Sequence, residues 1–101
     1  LVFSQNPDEE ALRYSHESFD ELYEFFSLPN DSNYPDQLEP NMQWCEAAFA
    51  SRGFKTTRLE TKTVPLLLAE RSYPNAVKTV LVYLQIDGQP VVITNVSSLQ
   101  R

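Results

Sequence analysis

The stretch Lys78–Val91, KTVLVYLQIDGQPV, constrains the fold of this chain more than any other. Thr79 to Ile86 holds β-branched, aromatic and leucine residues with no charge, and only Gln85 interrupts it near its end. A continuous apolar run of strand length predicts a strand covered on both faces. The segments before it are expected to provide that cover. Any chemistry is expected at its C-terminal end, around Gln85 to Gln89.

Asn6-Pro7-Asp8-Glu9-Glu10 has the form of a helix start. It offers a capping Asn, a Pro at the first helical position and acids at the positive end of the dipole. The helical pattern runs on to Phe26, with a break expected near Ser15 to Ser18, where Ser18 and Glu21 form a capping-box pair. Phe19, Leu22, Tyr23 and Phe26 follow i, i+3, i+4, i+7 spacing, which predicts one buried face. Pro29 ends this segment, and Asn30 to Pro40 reads as a loop of turn-formers and prolines. A second helix is expected from Asn41, its cap, to Arg52, with Gly53 in the left-handed position beyond its end. Met42, Cys45, Ala48 and Phe49 lie on one stripe of it, and Trp44 flanks them.

From Phe54 the period changes. Phe54–Thr63, FKTTRLETKT, suits an exposed or edge strand, and Leu66–Ala69 a more buried one entered through Pro65. Ser72-Tyr73-Pro74-Asn75 is a turn signal before the third strand, Thr79–Ile86. The reading is an α/β layer, with two N-terminal helices packed on a small sheet. At 101 residues it is one domain at most, or a piece of a larger one, and 42% hydrophobic residues suffice for a core.

The net charge of -6, with basic residues scattered, excludes a nucleic-acid surface, because phosphates call for clustered Lys and Arg. No apolar run approaches the ~18 to 20 residues of a membrane span. Cys45 is the single cysteine, so neither an internal disulfide nor a Cys-based zinc site can form. Cys45 reads as a small core residue and His16, among Ser15, Glu17 and Ser18, as a solvated side chain. Asp8, Glu9, Glu10, Glu17, Asp20, Glu21 and Glu24 read as a solvated, dipole-favoured face. Two glycines, Gly53 and Gly88, cannot build a phosphate-binding loop. Leu1–Ser4 resembles the tail of a signal peptide, with Val2 and Ser4 before a cut ahead of Gln5. That reading gives a periplasmic or secreted protein; an arbitrary boundary leaves a cytoplasmic one.

Two readings of the strand end stand side by side. In the first, Asp87-Gly88 is a two-residue hairpin turn leading into a strand Gln89–Val96, with Pro90 as the feature against it. The second comes from a resemblance. Tyr83–Val91, YLQIDGQPV, is similar to the strand-end signature Tyr-Gly-His-x-Asp-Val-Gln-Pro-Val of the M20 family of zinc metallopeptidases, in its dipeptidase and carnosinase-like branch. Tyr83, Asp87, Gln89, Pro90 and Val91 are in register with it. Upstream, the Leu28-Pro29 step, a helix closing on Arg52-Gly53-Phe54, the Leu59-Glu60-Thr61 strand and a Pro-Asn turn occur in the family's order.

The resemblance spans residues 6–91, with 92–101 a divergent tail, and implies the start of a metallopeptidase catalytic domain. It assigns Asp87 the role of orienting a metal ligand and position 85 the role of that ligand, a His in the family. Here position 85 is Gln85, and a neutral carboxamide is a poor zinc ligand. The family's remaining ligands, a bridging Asp, a Glu-Glu pair, a further acid and a His, have no counterpart in Val92–Arg101. The resemblance therefore implies zinc, a small peptide substrate and a homodimer for the full-length family. This chain is expected to bind no zinc and to be an inactive N-terminal portion. A non-catalytic α/β module that binds a protein partner, or a truncated relic, is the alternative.

Overall fold

The computed structural model describes residues 6–88. Its elements are α1 (Pro7–Glu17), α2 (Phe19–Ser27), α3 (Pro35–Ser51), β1 (Lys55–Leu59) and β2 (Leu66–Glu70). The fold is mixed α/β, with three helices where two were expected and a two-stranded antiparallel sheet.

The start of α1 is as its residues dictate. The Asn6 side chain accepts from the Asp8 amide at 3.0 Å, Pro7 opens the helix, and acids fill the first turn. Arg13 ties Glu10 and Glu17 on the same surface, at 2.8 and 3.1 Å. The break falls at Ser18, which closes α1 and opens α2. Ser18 does not form the expected capping box. Its backbone is already near-helical (φ -89°, ψ 0°), and its hydroxyl donates back to the Ser15 carbonyl at 3.3 Å.

The buried face of α2 also differs from the expected one. Phe19, Tyr23 and Phe26 are 67, 73 and 77% exposed, and Leu22 is exposed as well. Its half-buried residues are Glu21 and Phe25, followed by Leu28 at its C-cap. Phe25 stacks on Trp44 of α3, ring centroids 4.5 Å apart, so the helix is rotated to present this ring instead of its apolar stripe.

Helix α3 starts at Pro35, not at Asn41, and runs through Pro40. Pro35 suits the first turn, where its missing amide costs nothing. Pro40 has no amide to offer the preceding turn. The Asn41 side chain adds a bond within the next turn, donating to the Gln37 carbonyl at 2.7 Å. Asn41 is thus an interior helical residue and not a cap. The stripe Met42, Cys45, Ala48 and Phe49 is turned inward as expected, with Cys45 7% exposed. Burial pushes the Cys45 thiol up, which fits a packing role and not a reactive one. Gly53 closes α3 with φ 80°, and its amide donates to the Ala50 carbonyl at 3.0 Å.

β1 is shorter than Phe54–Thr63 because only Lys55–Leu59 finds partners: Lys55 opposes Glu70, Thr57 opposes Leu68 and Leu59 opposes Leu66. Thr56 and Arg58 on β1 and their partners Ala69 and Leu67 are half-buried, while Lys55, Leu59, Leu66 and Glu70 are exposed. The sheet and α3 pack together on that half-buried side. Arg58 locks the two layers, reaching Glu46 at 2.6 Å and Glu39 at 2.8 Å on α3.

The hydrogen bonds from Arg58 hold the Glu39 and Glu46 carboxyls below their ordinary value of 4.5. The unfolded chain thus binds protons more readily than the folded one, so their contribution is present above pH 4.5 and is lost as pH falls below it. Replacing Arg58 by Met is expected to lower the thermal midpoint at neutral pH and leave two carboxylates facing each other. The gap between wild type and variant should close in melts taken at successively lower pH through that value.

After β2 the turn Tyr73–Ala76 forms as expected, with Asn75 at φ 64° and the Ala76 amide donating to the Tyr73 carbonyl at 3.3 Å. The third strand does not join the sheet. Val80, Leu81, Tyr83 and Leu84 are 75 to 84% exposed, and residues 77–87 belong to neither strand. An apolar run shows that burial would be favourable; it does not supply a neighbouring strand to bury it.

Candidate functional site

The strand end expected to carry the chemistry lies in the open. Gln85 and Asp87 are both exposed, two residues apart, and the Gln85 amide nitrogen donates to a carboxylate oxygen of Asp87 at 3.4 Å. Gln89, Pro90 and Val91, and the strand Gln89–Val96 of the hairpin reading, lie outside the described residues. Gly88 does not take the positive φ that an Asp-Gly hairpin turn of the mirror-image type requires, as Gly53 does.

Gly88 instead makes a close approach to the Pro29–Asn33 loop. Its amide donates to the Asn30 carbonyl at 3.1 Å, and it pairs with Asp31 in an isolated parallel bridge. A Cβ at position 88 would meet Asn30 Oδ1, so a larger residue there would require the Asn30 side chain to turn aside. The loop is held in turn from α3. Asn41 Nδ2 donates to the Pro29 carbonyl at 2.7 Å, and the Asp31 amide donates to Gln37 Oε1 at 2.8 Å. The Asp31 carboxylate is turned away into its own loop, accepting from the Asn33 amide and side chain.

Zinc does not fit the residues gathered here. Gln85 offers a neutral carboxamide whose nitrogen faces Asp87, and Asp87 alone supplies charge. Among the described residues, no group of three or more His, Cys, Asp or Glu side chains converges. His16 lies exposed in the last turn of α1 and Cys45 is buried in α3, so neither is brought to Asp87. No helix among the described residues is long and apolar enough to cross a membrane.

The sequence reading missed Asn30, Gln37 and Asn41 as neighbours of the strand end. Asn30 read as a turn-former and Asn41 as a cap, both local roles that any Asn near a helix start suggests. No family model, curated protein or solved structure matches the chain.

Proposed function

We propose that this chain is the N-terminal portion of a carnosinase-like hydrolase of the M20 family, which cleaves peptide or amide bonds in its full-length form, and that the chain itself is inactive. The reading is supported by the Gln85–Asp87 pair. It stands at the C-terminal end of an apolar run, exposed, with the amide turned to the carboxylate. In the family that arrangement belongs to a His and the acid that fixes its ring. With Gln at position 85 the first ligand is missing, and an orienting carboxylate cannot by itself activate water.

Titration calorimetry with zinc chloride tests the inactive state. Neither the chain nor Gln85→His is expected to take up zinc stoichiometrically at micromolar concentration, because one restored imidazole does not close a coordination shell. Stoichiometric uptake by the unaltered chain would sink the reading of it as inactive. The family reading is tested separately by sequencing the coding strand onward from the codon for Arg101. An Asp-Pro step, a Trp and then further acids and a His support it; a stop codon removes its main support.

A second reading, a non-catalytic module that binds a protein partner, is favoured by a different observation. The run Val80–Leu84 presents an apolar surface to solvent. Exposed strands of this kind are where another chain adds by main-chain pairing.

A further inference from the structure

We infer that Asn41 and Gln37 of α3 are positioning residues for the end of the apolar segment, acting through the Pro29–Asp31 loop. The inference rests on geometry around Gly88 and holds whether or not the peptidase reading does. Among the described residues, the amide of Gly88 makes the backbone hydrogen bond that anchors the segment beyond Asn75 to the rest of the chain, and its acceptor is the Asn30 carbonyl. That carbonyl is placed by the residues on either side of it. Pro29 is held through its carbonyl by Asn41, and Asp31 through its amide by Gln37.

The assignment of the Asn41 side chain is fixed by its partners. Both are carbonyl oxygens, those of Pro29 and Gln37, so the nitrogen must face them. At 5% exposure these two bonds form away from bulk water, where an unmade donor is costly. The Asn41 oxygen has no partner, so the residue is kept in place by its two donated bonds. Gln37 works at both ends: its backbone carbonyl accepts from Asn41 and its side chain accepts from Asp31. Nothing in a helix requires a buried Asn one turn after a Gln. Reaching the Pro29 carbonyl on a separate loop does require it.

What the clamp delivers is the location of Asp87, the residue before the anchored glycine, and through it of Gln85 two residues earlier. Without it the end of the segment loses its tie to α3, and the pair has no fixed place relative to the rest of the chain.

The test is residue-resolved amide exchange, together with nuclear Overhauser contacts between Asn30 or Asp31 and Gly88, on the full chain. Asn41→Leu removes both donors and keeps the volume. It is expected to speed exchange at Gly88 about tenfold, the scale of one lost buried hydrogen bond, and to abolish the contacts from residues 30 and 31. The β1–β2 amides should keep their rates. Gln37→Leu, which removes only the side-chain acceptor for Asp31, should produce the same local loss in weaker form. Gly88→Ala should turn the Asn30 side chain aside while leaving the loop and its bonds to α3 in place, because the added Cβ meets the Asn30 amide group and not its carbonyl.

Unchanged Gly88 contacts in Asn41→Leu would overturn the inference. So would equal loss of protection at Gly88 and in the β1–β2 ladder in both the Asn41 and Gln37 variants, since that pattern belongs to a residue needed for the fold as a whole. Zinc uptake has no bearing on these readouts, so failure here and failure of the peptidase reading are told apart.

Discussion

Replacing Leu81 and Tyr83 together by Lys should leave the melting of this protein almost unchanged and sharply reduce its binding of a hydrophobic dye and its loss to aggregation. Leu81 and Tyr83 are 84 and 79% exposed and lie two apart in the segment. Removing side chains that bury little costs within about 0.5 kcal/mol. The gain comes from the other side. Thr79 to Ile86 contains no charge, and Lys78 and Asp87 flank it. An uncharged run of β-formers with open edges is the pattern that pairs with copies of itself, and lysines within such a strand block it. Dye fluorescence and the soluble fraction after mild heating, read beside a thermal melt, check this. If the double variant instead loses about 2 kcal/mol or more per side chain, the value expected for burying such residues, the segment is covered in solution.

The elements that were legible in the sequence are those specified by local chemistry. Asn6-Pro7 fixes a helix start because the cap and the proline act within one turn, and Gly53 fixes a helix end because its backbone conformation suits few other residues. The Tyr73–Asn75 turn and the inward stripe of α3 belong to the same class.

The misreadings all depend on something distant in the chain. Phe19, Leu22, Tyr23 and Phe26 have the spacing of a buried face, but which side of α2 is covered is decided by where Trp44 stands on another helix. Thr79–Ile86 has the composition of a central strand, but a strand is completed by its neighbours. Asn41 was assigned the local role its position suggested, whereas its carbonyl partners include Pro29 on a separate loop. For the candidate site, sequence placed Gln85 and Asp87 on one strand end. It could not show that a loop from before α3 would hold Gly88 beside them.

Trp44→Ala should detach α2 from α3 and cost about 2 kcal/mol, part of the value for truncating a fully buried aromatic, because the ring is only half-covered. The association of these helices rests on few groups. Phe25 and Trp44 stack with their planes 27° apart, and the other tie is the ion pair of Arg52 with Glu21. Arg52 of that pair is exposed and Glu21 half-buried, and pairs so open to water hold little. Trp44 also floors the shallow depression bounded by Glu21, Glu24, Ala48 and Ser51, so its loss opens the whole junction. The expected pattern in amide exchange is faster opening in α1 and α2, with the β1–β2 ladder and the second half of α3 retained. Trp44 is the only tryptophan in the chain, which gives a direct optical check. Phe25→Ala should shift its emission to the red by admitting water to one face of the ring, and Trp44→Phe should keep most of the stability by keeping the stack. If Trp44→Ala instead weakens every amide equally, α2 belongs to the same cooperative unit as the sheet, and the aromatic stack is part of the core and not a hinge between two layers.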